Sequence, residues 1–366
     1  MTTFGYVFPA IRGIQAGREF YVSMCPLRLI PRIFLFDEDE LKPELRAQRV
    51  LNKARIPEIA GYMLKNTKNY VFSALTASVD GSVRFEPLGE GGSERNIGQL
   101  RIPMEARFVI NDGQHRRAAI EAALREDPDL GDETIAIVLF LDVGLKRCQQ
   151  MFADLNRYAI RPTTSLSILY DHRDEDALIT KTLLQRVPIF SDLTEAQRST
   201  ISNRSIKLFT LSGIYHATQA LMANRQDIPL ERRLDLASEF WNEIARLIPD
   251  WELAKQRKVS AAELRRDYVH AHSLALAALA RVGNALIADH PKDWKKKLEA
   301  LASLDWSRSN TKLWEGRAMT AGRLSKKSVN IALTASAIKK HLGIPLTEEE
   351  KTLETSLRGR RNGRAD

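Results

Sequence analysis

The stretch richest in chemistry is Arg107-Phe-Val-Ile-Asn-Asp-Gly-Gln-His-Arg-Arg-Ala-Ala-Ile120. Its apolar opening predicts a buried strand ending at Asn111, and the polar residues after it predict a helix over 114–125. Asp112 is placed to cap that helix through its carboxylate, and Gly113 lets the backbone turn tightly and come close to a ligand. Free N–H groups of the first turn, the positive end of the macrodipole and an arginine fork would together make a phosphate site from Asp112, Gly113, Gln114, His115, Arg116 and Arg117. His115 could donate to a phosphate oxygen or titrate near neutral pH. The same letters also suit a capped surface helix whose arginines are simply solvated.

Other chemistries lack their residues. The chain has no Gly-x-x-x-x-Gly-Lys-[Ser/Thr], His-Glu-x-x-His or Gly-x-Ser-x-Gly pattern, so P-loop, zincin and nucleophile-elbow mechanisms have no starting point. His270 and His272 are two apart, which on a helix points the rings to different sides, so packing roles are expected rather than a metal pair. The two cysteines, Cys25 and Cys148, are far apart and supply neither a disulfide framework nor a Cys-x-x-Cys site. Trp241, Trp251, Trp294, Trp306 and Trp314 could stack on bases, but large aromatics at helical spacing read first as core.

Several elements must position the central motif. Residues 6–12 and 19–24 read as a hairpin around Gly13 and Gly17, followed by helical patterns over 26–36, 41–51 and, after Pro57, to Leu64. Arg46, Arg49 and Lys53 form a basic helical stripe with Arg55 beyond it. Residues 71–77 and 82–85 read as strands joined by an Asp80-Gly81 hairpin turn, and 90–96 as a loop. Strand 106–111, helix 114–125 and strand 134–142 imply a crossover unit with a buried sheet. Residues 145–157 predict an amphipathic helix. After Asp171 strand signals fade, and helices follow one another between prolines 188, 229, 249, 291 and 345.

At 366 residues, the chain is long enough for two domains. The expected division is 1–170, α/β; 171–357, helical; and 358–366, a basic flexible tail. Basic side chains outnumber acidic ones by 55 to 46. The first 170 residues carry 22 basic and 21 acidic groups, against 33 and 25 in the remainder. The excess therefore lies in the helical half and favours a polyanion there. Arg323, Lys326 and Lys327, with Lys295, Lys296 and Lys297 beside Lys292, are the DNA-contact candidates. The helical stretch 329–342, Gly343 and the following Thr-Glu-Glu-Glu have the outline of a helix-turn-helix. The N-terminus does not read as a signal peptide, and 273–288 is too short and polar for a membrane span. A cytoplasmic setting is expected, with no membrane partner.

Asp112-Gly113-Gln114-His115-Arg116 spells the signature of DGQHR-domain proteins. The segments Phe8-Pro-Ala-Ile-Arg-Gly-Ile-Gln-Ala-Gly-Arg18, Gln48-Arg-Val-Leu-Asn-Lys-Ala-Arg-Ile-Pro57 and Met151-Phe-Ala-Asp-Leu-Asn-Arg-Tyr-Ala-Ile-Arg-Pro162 resemble the DndB family of DNA sulfur modification proteins. The likeness covers most of the first half and continues more loosely into the second. It implies a part in the phosphorothioate system, which replaces a non-bridging phosphate oxygen by sulfur, in transcriptional control rather than in sulfur transfer. The cysteine count agrees, since two dispersed thiols cannot ligate a cluster. The wider resemblance is to the ParB and sulfiredoxin superfamily. The implied fold is α+β/α: a mixed-sheet ParB/sulfiredoxin-like DGQHR domain followed by an all-helical domain. Gln114 stands where sulfiredoxins carry their reactive cysteine, so the phosphate-binding part is kept without the nucleophile.

By the same resemblance, Asn156 and Arg157 would complete the site and Arg55 would assist it. The implied partners are double-stranded DNA at the modification-cluster promoter, other phosphorothioation proteins and a second copy of the chain. Two further readings stay open. One is a nucleotide hydrolase or nucleotide-gated switch using ATP or GTP with Mg, with Asp112 or His115 orienting water. The other is a scaffold for the sulfur-transfer enzymes.

Overall fold

A computed structural model describes residues 5–34, 52–141, 144–157 and 162–362. Two compact units result, Met1–Ile160 and Arg161–Asp366. The first is mixed α/β. Its opening hairpin, β1 (Gly5–Gln15) and β2 (Arg18–Pro26), turns through Ala16 and Gly17, both at positive φ (50° and 73°). Such a two-residue turn matches the right-handed twist of its strands. Then follow α1 (Ile30–Ile33), α2 (Ile56–Lys65), β3 (Leu75–Asp80), β4 (Arg84–Pro87) and β5 (Ile97–Pro103). The unit closes with β6 (Arg107–Asp112), α3 (Gln114–Glu126), β7 (Thr134–Leu141) and α4 (Gly144–Arg157).

These strands form one seven-stranded sheet in the order β4-β5-β1-β2-β7-β3-β6. Every neighbouring pair is antiparallel except β3 and β7. Two local expectations fail here. Asp80-Gly81 does not make a hairpin: β3 has both edges taken by β7 and β6, while β4 lies at the far edge beside β5. Leu75, Ala77 and Val79 are fully buried, so apolar pairing with β7 outweighs a favourable turn dipeptide. Nor do β6, α3 and β7 form a simple crossover, because β3 inserts between the two strands and leaves them antiparallel. Strand β5, to which the sequence reading assigns no element, alternates exposed and buried positions, with Leu100 and Ile102 turned inward.

The second unit is built on helices. They are α5 (Thr164–Tyr170), α6 (Glu175–Arg186), α7 (Pro188–Leu193), α8 (Leu211–Leu221), α9 (Leu230–Leu247) and α10 (Pro249–Lys255). Next come α11 (Ala261–Asp267), α12 (Ser273–Asp289), α13 (Trp294–Leu298), α14 (Thr311–Trp314), α15 (Ser328–His341) and α16 (Glu348–Asn362). Pro188 and Pro249 sit in first turns, where a missing N–H costs nothing, and Thr163, Asp174, Thr210 and Ser260 cap theirs with side-chain oxygens. Apolar α12 runs through the core against α8 and α15. All five tryptophans are buried there, as their spacing predicted. The unit is not wholly helical: Thr194–Glu195 pairs with Phe209–Thr210, and Met319–Thr320 with Arg323–Leu324. Two-residue strands carry no period for a sequence to show.

Helix α16 extends to Asn362 and takes in most of the segment expected to be a flexible tail. Glutamates 348–350 in its first turn favour the helix dipole. The helix-turn-helix outline is present as α15 and α16, but α15 is largely buried and α16 opens on those glutamates. Negative charge at that position opposes a phosphate backbone. Ion pairs at two glutamates fasten α16: Lys339 Nζ lies 2.7 Å from Glu350, and the buried Glu354 carboxylate accepts from Arg317 at 2.9 and 2.8 Å and from Lys340. Among the described residues no helix is long and apolar enough to cross a membrane.

His270 packs as expected, with the Trp251 indole donating to Nδ1 at 3.1 Å and Nε2 lying 3.1 Å from Asp250. His272 is held 2.7 Å from the Arg265 carbonyl. Burial, with Arg308, Lys326 and Arg265 nearby, pulls its pKa down to about 4. Burial alone would raise the Glu354 carboxyl, yet its bonds from Arg317 and Lys340 bring it down to about 2.

Both depressed values mean that the unfolded chain binds protons before the folded one does. Stability is therefore fully present above pH 6.5, declines through His272 toward pH 4, and declines through Glu354 from about 4.5 toward 2. Urea titrations should show a slope approaching about 1.4 kcal/mol per pH unit on the upper limb, and His272→Asn should flatten it. At neutral pH Glu354→Gln should cost about 3 kcal/mol by leaving Arg317 without its carboxylate. Hydrogen exchange should then rise across α16 while α12 stays protected; equal loosening of both would contradict the anchoring role.

Candidate functional site

Strand β6 delivers the motif from one edge of the sheet. Thr76 and Ala77, adjacent on β3, face Asp112 and Ile110, so Asn111 is the extra residue of a β-bulge. A bulge bends the strand and re-aims its side chains. Asn111 is fully buried; its amide donates to Ser78 Oγ at 2.7 Å, while its carbonyl oxygen Oδ1 has no partner among the described residues. Gly113 follows at φ 108°, and a Cβ there would stand 2.4 Å from Leu75 Cδ2. Only glycine fits.

The turn reorders the expected roles. Gly113 rather than Asp112 is the N-cap of α3, and among the described residues no side chain caps the helix. The Asp112 carboxylate instead accepts from Arg116 Nη2 at 2.7 Å, because the bulge and the left-handed glycine carry it away from the N–H groups of the first turn. Arg116 also donates to Ser73, and among the described residues its buried Nε has no partner. Gln114 is buried and bonds back to the Ile110 carbonyl at 3.3 Å.

Arg117 departs furthest from a phosphate ligand. It is buried and donates to the carbonyls of Phe34 at 2.8 Å and Pro31 at 3.1 Å, and to Glu121. It ties α3 to the α1 segment. Adjacency in the sequence put it beside Arg116, but successive residues lie about 100° apart around a helix and face different neighbours.

A second segment joins the motif. Asn52 caps the short turn Lys53–Arg55, and its N–H donates to His115 Nε2 at 3.2 Å. That bond leaves Nδ1 to carry the proton of the neutral ring and occupies the lone pair a general base would use. Arg55 is exposed at the end of this turn, just before α2, which packs on α3. Helix α4 packs on β6 and carries Arg157, exposed, at its last position. The Asn156 side chain lies outside the described residues, as do Arg46 and Arg49. Ser73, Asn52 and Asn111 were not singled out by the sequence; each enters through a long-range contact that no local pattern announces. What the motif presents is a half-exposed carboxylate oriented by a neutralising arginine, beside an uncapped helix start. Among the described residues no group of three His, Cys, Asp or Glu is placed to hold a metal ion.

The family model DndB, described as DNA-sulfur modification-associated, matches residues 8–345. The chain belongs to the DndB family. No curated protein and no solved structure matches it. The DndB match takes in the bulge, the motif and the helices through α15. Of the cations in the second unit, Arg323, Lys326 and Lys327 are exposed around the last two-residue ribbon. Lys295 and Lys296 are exposed and Lys297 half-buried, and Lys295 pairs with Glu239 at 3.0 Å while lying over the Trp294 ring. Partial neutralisation makes that second cluster the weaker electrostatic feature.

The turn geometry orders the cost of substitutions in this DndB-family site. Gly113→Ala must both strain φ and displace Leu75, and should cost about 2 kcal/mol or more. Asp112→Asn removes a half-exposed ion pair and should cost at most about 1 kcal/mol. Chemical denaturation of both variants checks the ranking, and the reverse order would show that the turn is not the constraint described.

Proposed function

We propose that this chain is a DNA-binding transcriptional regulator of the phosphorothioate modification gene cluster, working as a homo-oligomer beside the other proteins of that system. The observation that carries the reading is the DndB family match across 8–345, whose description concerns DNA sulfur modification. Charge supports it: the basic excess lies in the second half, and Arg323, Lys326 and Lys327 stand exposed on one short segment. Backbone phosphates are recognised by just such accessible cations. The first unit's mixed sheet and strand–glycine–helix turn are compatible with the ParB/sulfiredoxin-like fold that the motif suggests.

A second reading adds a switch. ATP or GTP, with Mg, would sit at the Asp112–Arg116 turn and bias DNA affinity by population shift. Its support is the uncapped start of α3 and the unpartnered Arg116 Nε. Against strong phosphate binding stands the Asp112 carboxylate, which already neutralises that arginine.

Mobility-shift titrations on the cluster promoter and on random duplex, across a salt series, test the regulator. The promoter should bind more tightly at every salt concentration. Arg323→Ala with Lys327→Ala should weaken both duplexes and make the log–log salt slope shallower by about two. Equal affinity for promoter and random DNA would remove the regulatory claim.

A further inference from the structure

Lys326 lines two adjoining cavities of the second unit, of about 730 and 310 Å3, which share Ser199, Thr210 and Ser273 with it. Arg265, Arg266 and His272 border the larger one, with Glu263 as the acid among its lining residues. The Glu263 carboxylate is already engaged in the capping box at Ser260. A third hollow of about 400 Å3 shares Arg266 and adds Arg308.

The positive charge of this cleft is largely uncompensated. Arg265 directs its donors to the carbonyls of Ser202, Asn203, Ser205 and Lys207, so it shapes a loop without meeting a carboxylate. Arg308 donates to the carbonyls of Arg266 and Gly322. Arg266 is paired, with Asp267 at 2.7 Å. No ion pair holds Lys326 among the described residues. Its charge and those of Arg265 and Arg308 all bear on His272 and disfavour a proton there.

Helix geometry adds to the same field. Gly213, in the first turn of α8, lies so close to Ser273, the first residue of α12, that a Cβ on it would stand 2.7 Å from the Ser273 Cβ. Helix α12 has no side-chain cap. The starts of an 11-residue and a 17-residue helix therefore meet at the wall shared by these cavities. Each start carries about half a positive charge. At α8 the N–H groups of Ser212 and Gly213 are already taken by the Ser165 and Thr210 hydroxyls, so the start of α12 is the more open of the two, and with Lys326 beside it the local field favours an anion.

We propose that this cleft binds a phosphorylated small ligand of nucleotide size, its phosphate seated where α8 and α12 begin, beside Lys326 and the Ser273 hydroxyl. The volume is that of small-ligand pockets, and the lining supplies hydroxyl donors and cations rather than the aromatic faces that single-stranded nucleic acid requires. The site is separate from the Asp112–Arg116 turn, and it does not depend on the DNA reading.

Isothermal titration of the full chain with inorganic phosphate, ATP and GTP tests it, alongside Lys326→Glu, Ser273→Ala and Arg116→Ala. At least one ligand should bind saturably, and Lys326→Glu should weaken it about tenfold or more. Ser273→Ala should weaken it in the same direction, while Arg116→Ala should leave it within about twofold. Lys326 is exposed, so its variant should retain the native melting transition; Ser273→Ala provides an independent reading if it does not. No heat from any of the three ligands, an affinity indifferent to both Lys326→Glu and Ser273→Ala, or a loss confined to Arg116→Ala would overturn the assignment. A chain that shifts promoter DNA yet binds none of the three would overturn the cleft and leave the regulator standing.

Discussion

The motif of the first unit depends on strand β3. Sheet pairing fixes it on both edges, in parallel to β7 and antiparallel to β6. Ser73, just before it, holds Arg116; Leu75 fills the space that only a glycine at 113 leaves open; Ser78 receives the Asn111 amide. Each contact reaches a different residue of the bulge and turn. A turn assembled this way cannot shift without disturbing the pairing of β3 with both its neighbours beside one edge of the seven-stranded sheet, so the motif is a rigid feature rather than an adaptable loop.

That rigidity changes what the cations of the motif mean. Arg117 locks α3 to the chain around Pro31 and Phe34, and Arg116 is matched by Asp112. The one-letter string advertises positive charge, while the folded turn is close to neutral. In the second unit the reverse holds. There ionic residues pair away from the cleft, as in buried Glu354 with Arg317, and leave Lys326 beside two helix starts that only a small residue at 213 allows to meet. Local neutrality thus separates the two places more sharply than total charge does.

Much of the fold was legible where a pattern is local. The opening hairpin read around Gly13 and Gly17, the helix from Gln114, the apolar strand from Thr134 and the buried tryptophans all follow from turn chemistry, periodicity and residue size. Asp80-Gly81 misled because a turn dipeptide records local preference, whereas which strands pair is settled by burial between distant segments. The charged tail misled because its residues can form a helix once Glu350 and Glu354 anchor the preceding turns.

The candidate site divides along the same line. By itself, the amino-acid sequence determined the family, through Asp112–Arg116 together with the segments 8–18, 48–57 and 151–162, the need for glycine at 113 and the placing of the basic excess in the second half. Only the tertiary structure decided which arginines are available, because a guanidinium is disarmed by carbonyls or carboxylates that arrive from residues such as Pro31 and Phe34, far away in the chain. It also decided that Gly213 and Ser273 should touch and draw two helix starts together. Charge is carried by residues one at a time, whereas electrostatic potential is a sum over neighbours, and the neighbours exist only after folding.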